Sequence, residues 1–422
     1  FYNLLKKTAS PDLRLSLGYN QSLHLGDKKL TTFNHFNYSS THQHTPVEQF
    51  RYQAFNPNKQ ASEIQLNYKD QIYTQNVRLG LMSNWGLIIN PNHKIEFRNL
   101  FNQLSNKETT FRQGQNHDSG RDIENYAFRY ESKSIYTGQL SGTHDLSDAT
   151  TVKWTGAFGS TNRNEPDFRR FISSRNIGSN DPFVIQTLQD GNASLTNNAR
   201  FYSKLNEYTT SFRADLEHRI HRKGYENEED MQIKLRAGGY VENKDRDFKA
   251  RWFNLNNPGT VPAEILNQQP SQFFDVNNLG ADQLYYVEQT NLSDRYKAQN
   301  LLAAGYISTF LPITPKLNAT LGFRGEYNRQ QLQSQLKGSG TKVDVDNPIF
   351  RALPSVNLSY NFTKKSLVRL AYSTTVNRPE FRELAPFNYY DFNFDVSRVG
   401  NPNLKTPSIQ NADLRYEFYP ND

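Results

Sequence analysis

The sequence contains no cysteine and no apolar run long enough to cross a bilayer as a helix. A membrane-spanning helix needs about 20 mostly apolar residues. The best candidate, residues 301–313, is too short and includes Ser308 and Thr309. A helical membrane protein is therefore excluded. The absence of cysteine is compatible with an oxidising compartment but does not demonstrate one.

The chain also lacks a concentrated basic patch, a domain linker and a catalytic motif. Its formal charge is +7 and its pI is 9.2, but lysine and arginine are spread along the chain among acidic residues. A nucleic-acid-binding protein usually gathers its basic residues into one patch or helix, so no nucleic-acid partner is expected. We find no nucleophile elbow, phosphate loop, metalloprotease helix or clustered Cys/His site, and we predict no enzyme, no cofactor and no metal site.

What the sequence has instead is a regular alternation of apolar and polar residues over long segments. In residues 316–328 the odd positions are Leu317, Ala319, Leu321, Phe323, Gly325 and Tyr327. A period of two places these residues on one face of an extended strand. The even positions are mostly polar or charged, and segments 212–219, 231–236 and 355–362 repeat the pattern.

The polar faces of these predicted strands carry full charges, for example Arg213, Asp215 and Glu217. Buried charges need water or ion-pair partners, which suits a wide barrel with a water-filled or plugged interior. Only every second residue of a barrel strand faces lipid, so a mean hydropathy of -0.81 does not exclude a membrane barrel.

One segment departs from the regular alternation. Leu66 and Tyr68 occupy even positions, whereas Leu79, Leu81 and the apolar residues that follow occupy odd positions. We predict that this change of phase reflects a β-bulge, or the strand leaving the bilayer, near residues 70–73.

Short and long connections alternate between the predicted strands. The short connections are predicted at residues 26–27, 90–92, 145–150, 221–230, 314–315 and 363–365. The long polar connections are predicted at residues 42–60, 113–124, 164–197, 253–294, 336–350 and 377–405. Tight periplasmic turns at one rim and long extracellular loops at the other are typical of outer-membrane barrels.

These patterns predict an all-β protein, a large antiparallel transmembrane β-barrel with about 13 strands in this chain. The strands are predicted near residues 13–25, 28–41, 61–89, 93–112, 125–144, 151–163, 198–220, 231–252, 297–313, 316–335, 352–362, 366–377 and 406–419. Single-chain bacterial barrels have even strand numbers, and lipid does not tolerate open sheet edges. We therefore expect residues 1–422 to form one incomplete barrel domain, with further strands after Asp422 in the full protein.

The C-terminal part of the sequence carries more specific motifs. Residues 378–387 read RPEFRELAPF, and residues 400–405 read GNPNLK. These segments resemble the RPxFxxLxP and GNPxLxP segments that join consecutive barrel strands in TonB-dependent receptors. Pro379 and Pro386 cannot donate a ladder hydrogen bond, so they mark places where strand pairing stops.

The resemblance implies parts that this sequence does not contain. The resemblance implies a 22-stranded barrel closed by an N-terminal plug. It also implies a short segment that engages the TonB–ExbB–ExbD complex across the periplasm. We expect the plug and the last strands to lie in other parts of the full protein. The resemblance also implies the outer membrane of a Gram-negative bacterium as the location. It further implies contact with membrane lipid and lipopolysaccharide, and a surface lipoprotein as a candidate partner.

Two pairs of charged residues are candidates for ligand contact. Arg378 and Glu380 could bind the substrate, but they could instead pair with each other or with neighbouring strands. Arg163 and Arg169 belong to a charged segment, residues 163–170, at the predicted junction of a strand and a long loop. This segment could grip an acidic ligand, and a charged loop base explains it equally well.

A third candidate group lies in the last long loop. Its residues are Asn388, Tyr389, Tyr390, Asp391 and Phe392. Aromatic and amide groups together suit stacking on, and hydrogen bonding to, a sugar or a chelate. Ordinary packing within the loop is the alternative.

The leading functional hypothesis is active uptake of a large or scarce ligand through a plugged barrel. The ligand could be a siderophore, cobalamin, an oligosaccharide or a peptide, and the sequence does not distinguish among them. The alternative is a passive outer-membrane channel or an adhesin barrel without energy coupling. A soluble β-solenoid would need a short fixed repeat, and we find none.

Overall fold

The computed structural model describes residues 7–189, 194, 198–221, 231–259, 261–268, 270–280, 283–363 and 365–420. Most of these residues form one large antiparallel sheet, called the wall below. Its long strands are β1 (Leu13–Leu25), β2 (Lys28–Tyr52), β3 (Ile64–Asn90), β4 (His93–Asn116), β5 (Arg121–Ser147), β6 (Thr150–Asn176), β7 (Ala199–Ile220), β8 (Ile233–Asn257), β9 (Arg295–Pro312), β10 (Leu317–Gln335), β11 (Lys342–Thr363), β12 (Ser366–Val376) and β13 (Ser408–Phe418).

The connections add only short elements to the wall. The helical pieces are Ala263–Leu266, Pro270–Phe273, Val276–Asn278, Leu292–Asp294 and Phe381–Leu384. The short strands are Val184–Ile185, Leu188–Gln189, Tyr285–Glu288, Asn388–Asp391 and Val396–Val399. The last two pair only with each other and form a separate hairpin. Among the described residues, no helix combines the length and the apolar character needed to span a membrane.

The long strands follow one another in the wall in the order of the sequence, each antiparallel to the one before. Backbone N–H and C=O groups inside such a ladder are paired with the next strand, which is the requirement for crossing lipid. Within the described residues β1 and β13 each pair on one side only, so the barrel is partial and not closed. The predicted all-β class, the 13 strands and the antiparallel partial barrel are confirmed.

Several strands are longer than the sequence indicated. β2 continues to Tyr52, β6 continues to Asn176, and β11 begins at Lys342, each well inside a predicted loop. Two predicted long connections shrink to residues 117–120 and 336–341. The predicted loop boundaries were wrong because polar side chains alone do not end a ladder; backbone pairing continues wherever a neighbouring strand is available.

The two ends of the wall differ as predicted. At the turn rim the described connections are residues 26–27, 91–92, 148–149 and 313–316, whereas the predicted turns at 221–230 and 363–365 lie partly outside the described residues. At the loop rim they are residues 53–63, 117–120, 177–198, 258–294, 336–341 and 377–407. The longest connections therefore lie at one rim, where they can reach over the inside of the wall.

The outer face of the wall carries an exposed apolar band. Its side chains include Leu81, Phe97, Leu140, Phe212, Leu235, Val241, Ile307 and Phe323. The register places them side by side, with Phe97 opposite Leu140 and Ile307 opposite Phe323. A continuous exposed apolar band of this kind is the surface that lipid covers in a membrane barrel. The opposite, inner face carries charges such as Arg213 and Asp215.

The change of phase in β3 has a different cause from a bulge. The pairing of β3 with β2 and with β4 has no register shift at residues 70–73, so the predicted bulge there was wrong. Leu66 and Tyr68 lie on the inner face and are buried, whereas Leu79 and Leu81 lie on the outer face. The apolar residues change faces because the inner face is covered by protein near the loop rim.

We predict that a new charge destabilises the protein on the outer face of β10 but not on its inner face. Phe323→Arg places a charge in the outer apolar band and should cost about 2–4 kcal/mol near the bilayer midplane. Thr320→Arg places the same charge on the inner face and should leave folding nearly unchanged. The folded fraction of the full protein, measured by heat-modifiable electrophoresis of outer membranes, compares the two variants. Equal loss of folding in both would contradict the assignment of the faces.

Candidate functional site

The candidate site lies where the last long connection covers the inner face. This inserted loop, residues 377–407, leaves β12 at the loop rim and packs along the inside of the wall. It contains the helix Phe381–Leu384 and the hairpin formed by Asn388–Asp391 and Val396–Val399. The buried loop residues are Phe381, Leu384, Ala385, Phe387, Tyr390 and Phe392, and their cluster includes the wall residues Phe168, Phe201, Phe248, Trp252 and Tyr296.

A buried ion pair holds the tip of the hairpin. Asp70 on β3 and Arg112 on β4 lie opposite each other, and their side chains are 0% and 1% exposed. Arg112 Nε and Nη2 donate to the two Asp70 carboxylate oxygens at 2.7 Å each. Arg112 also donates to Phe392 O at 2.8 Å and to Asn393 O at 2.9 Å. A bidentate pair with further hydrogen bonds is the arrangement in which buried charges are tolerated.

Other polar contacts fix the same tip. Tyr390 Oη donates to Asp395 Oδ1 at 2.6 Å, and Tyr68 Oη donates to Asp395 Oδ2 at 3.3 Å. Arg51 Nη2 donates to Phe394 O at 2.8 Å. Burial and the adjacent Asp395 carboxylate raise the pKa of Tyr390, so its hydroxyl remains a hydrogen-bond donor. Three consecutive backbone carbonyls of the tip, in residues 392–394, accept hydrogen bonds from the wall.

The two motif segments pack against each other at the base of the inserted loop. Asn401 N–H donates to Glu383 O at 2.6 Å. Gly400 lies so close to the preceding segment that a Cβ atom there would come within 2.1 Å of Ala385 O. Only glycine permits this approach, so Gly400 is required for the two segments to meet.

Arg378 and Glu380 contact neighbouring protein groups rather than each other. Arg378 Nη2 donates to Glu326 Oε2 on β10, and Arg324 Nε donates to the other Glu326 oxygen at 2.6 Å. The Glu380 N–H donates to the Glu383 carboxylate at 2.8 Å, at the start of the short helix. For Arg378 the structure therefore shows the predicted alternative of pairing with a neighbouring strand.

The five predicted hairpin residues divide into two groups. Tyr390 and Phe392 are buried against the wall and belong to the apolar cluster. Asn388, Tyr389 and Asp391 are half-buried. The structure brings all five to the inner side of the wall.

Arg163 and Arg169 lie within β6, which corrects their predicted position at the base of a long loop. Arg163 is on the inner face, where its Nε donates to Glu131 at 2.8 Å and its Nη2 donates to Glu165 at 3.0 Å. Arg169 forms an ion pair with Asp167 at 3.5 Å. The structure does not bring Arg163 and Arg169 together.

A β-bulge decides which arginine of this segment faces inward. Glu165 pairs with Ser203 of β7 and Phe168 pairs with Phe201, so β6 has one extra residue between them. Asp167, within the bulge, has a φ of 62°. Unbroken alternation would place Arg169 on the inner face, but the extra residue places Arg170 there instead.

Arg170 is buried in an aromatic cage. Its guanidinium carbon lies 4.8 Å from the ring centre of Tyr390, 5.6 Å from that of Trp252 and 5.7 Å from that of Phe168. The residue is 1% exposed, and its three guanidinium nitrogens have no hydrogen-bond partner among the described residues. This arginine differs in that respect from Arg112, which is equally buried but fully paired.

Asp70, Arg112 and Asp395 were not among the site residues predicted from the sequence. The change of phase near residues 70–73 was the available signal, because it marks where the inner face becomes covered. A charge on a covered face must be paired or hydrogen-bonded, so Asp70 next to that position was a candidate for a buried ion pair. Among the described residues, no group of three or more acidic or histidine side chains is placed to hold a metal ion.

The chain is similar in sequence to one protein family and in structure to several solved outer-membrane proteins. A sequence model described as the outer membrane protein beta-barrel family matches residues 180–421, which is more than half of the chain. The ferric-catecholate import receptor Fiu from E. coli K12 matches with a TM-score of 0.52 and 12% identity, over 96% of this chain and 55% of that receptor. No curated protein sequence matches the chain.

Two further solved structures are similar. The siderophore receptor PiuA from Acinetobacter baumannii has a TM-score of 0.46 and 11% identity, over 86% of this chain and 48% of that one. The ferric yersiniabactin uptake receptor FyuA from Yersinia pestis has a TM-score of 0.42 and 12% identity, over 97% of this chain and 52% of that one. The chain thus spans about half the length of these structures, and the match to Fiu shows the fold alone.

We predict that Arg112→Gln releases the hairpin tip and destabilises the protein by about 3–5 kcal/mol, because it leaves the buried Asp70 carboxylate without its charged partner. Thermal unfolding of the full protein and the rate of proteolysis within residues 388–399 measure the two effects. The matched control is Arg329→Gln, which removes an ion pair with Asp346 at the same distance of 2.7 Å. That pair is exposed, so its loss should change the melting temperature little. Similar behaviour of the two variants would contradict the anchoring role.

Proposed function

The chain belongs to the outer membrane protein β-barrel family and lies in the outer membrane, and from this premise we propose that it forms part of the barrel of a TonB-dependent uptake receptor. The proposed activity is import of a ligand too large or too scarce for passive channels, of the siderophore, cobalamin, oligosaccharide or peptide class. Transport of this kind involves no covalent chemistry, so we propose that the protein is not an enzyme.

The observation that carries the proposal is the inserted loop. The residues that resemble TonB-dependent receptors, 378–387 and 400–405, form its base and fold as one unit through the close approach at Gly400. The unit is attached to the wall through Arg378 and Glu326, and through Gln330 Nε2, which donates to Pro379 O at 2.9 Å. The two motif segments therefore have a structural role, which is to direct the inserted loop toward the inner face of the wall.

A covered interior favours gated uptake over passive diffusion. A passive channel needs a continuous water path, whereas the inserted loop extends across the inner face from β10 to the anchors on β2, β3 and β4. We propose that a ligand binds from outside and that energy supplied through TonB rearranges the interior to let it pass. The charged inner face toward the turn rim would then be the wet part of the path.

The proposed partners follow from this activity. They are the TonB–ExbB–ExbD complex, which would act through other parts of the full protein, and a small-molecule or oligomeric ligand. Lipid and lipopolysaccharide would cover the outer apolar band, and a surface lipoprotein is a further candidate at the loop rim.

Loss of uptake on TonB inactivation tests the proposal. In the native host, uptake of labelled ferric siderophores, cobalamin, oligosaccharides and peptides is compared among the wild type, a strain lacking the full gene and a strain lacking TonB. We expect one ligand class to be lost in both mutants, while a small porin substrate enters all three strains equally. Uptake that requires the gene but continues without TonB would sink the proposal and identify a passive channel.

A further inference from the structure

Arg170 is a fully buried arginine of the inner face that lacks, among the described residues, the acidic partner of its neighbours. The paired arginines of this face and their partners are Arg112 with Asp70, Arg129 with Glu165, Arg163 with Glu131, Arg246 with Glu207, and Arg378 with Glu326. Arg170 is as buried as Arg112, yet within the described residues it has neither a carboxylate nor a carbonyl partner.

The aromatic cage compensates the charge of Arg170 only in part. The faces of Tyr390, Trp252 and Phe168 attract a cation through their quadrupoles. They offer no acceptor along the N–H directions, however, and a guanidinium group has five N–H donors. Buried donors without acceptors are destabilising, so the site is chemically complete only when an acceptor is supplied from elsewhere.

One side of the cage belongs to an element that lies outside the backbone ladder of the wall. Tyr390 is part of the hairpin, whose two strands pair with each other and with no wall strand. Phe168 and Trp252 belong to β6 and β8 and stay with the wall. Displacement of the hairpin would uncover the guanidinium group; it would break the side-chain hydrogen bonds that hold the tip but none of the backbone ladder.

We propose that Arg170 is an anion subsite, which binds a carboxylate or phosphate group of the transported ligand once the hairpin has moved off β6 and β8. The inference rests on the uptake function proposed above and adds the chemistry of the cargo. The planar fork of the guanidinium group matches two oxygens of such an anion. Phe168 and Trp252 would remain beside the pair and exclude water from it, which strengthens the interaction.

Opening the cage by mutation tests the subsite with defined probes. Tyr390→Ala removes the hairpin side of the cage, and Tyr389→Ala alters a neighbouring hairpin residue whose ring lies under Arg382 instead. The purified full receptor is titrated calorimetrically with benzoate and with inorganic phosphate, which separate a carboxylate from a phosphate site. We expect one probe to bind the Tyr390→Ala protein in a 1:1 ratio, and not the Tyr389→Ala protein. Adding Arg170→Met to the Tyr390→Ala protein should weaken binding of that probe by roughly tenfold or more, because it removes the charged donor.

A stability measurement tests the proposed anion subsite even if the Tyr390→Ala protein fails to assemble. Arg170→Met in the otherwise unchanged receptor replaces a buried charge, which has no partner among the described residues, with an apolar side chain of similar length. A subsite awaiting its anion predicts a melting temperature equal to or above that of the wild type. A lower melting temperature, or Tyr390→Ala protein that folds but binds neither probe, shows that Arg170 is a packing residue and overturns the proposal. Neither readout involves TonB, so this failure is distinct from failure of the uptake function.

Discussion

Backbone hydrogen-bonding groups that cross lipid must find partners within the protein, and this constraint shapes everything else in the molecule. The wall meets it by pairing each of β1–β13 with its sequence neighbours in antiparallel register. Once the backbone is fixed in this way, each side chain has only two directions available. The position of a residue within the ladder therefore decides whether it meets lipid or the interior, and a shift of one residue reverses that decision.

The inner face is used in two different ways along its height. Toward the turn rim it carries charged side chains such as Arg213 and Asp215 that retain contact with water. Toward the loop rim the inserted loop covers it, and charges there survive through tight pairing, as Arg112 and Asp70 do. Arg170 lies in the covered region and has no such partner among the described residues, which is the basis of the proposed anion subsite.

Alternation and connection length predicted much of the fold, because both are local properties of the sequence. They predicted 13 strands and the two unlike rims, and the structure confirms both. They did not predict cross-strand partners. Asn90 pairs with His93, and continuing that register would place Asp70 opposite Gln113; an extra residue between Ile88 and Asn90 places it opposite Arg112 instead.

The candidate site was less predictable for the same reason. The charged segment 163–170 was recognised, but a single extra residue at the bulge exchanges Arg169 for Arg170 on the inner face. The hairpin residues were also recognised, yet nothing in their local sequence states that Tyr390 and Phe392 turn inward. Such contacts join distant parts of the chain, whereas hydrophobic periodicity depends only on residues that are close in sequence.

The contacts at the hairpin tip also bear on the order in which parts of the molecule fold. Arg112 and Phe392 are 280 residues apart in sequence, and Gln49 and Asn393 are 344 apart, whereas adjacent strands at the turn rim join through much shorter connections. The entropy lost on closing a chain segment grows with its length, so contacts between near neighbours form first. The ladder should therefore assemble before the tip docks, and docking becomes a late step that governs how slowly the finished molecule opens rather than how quickly it inserts into the membrane.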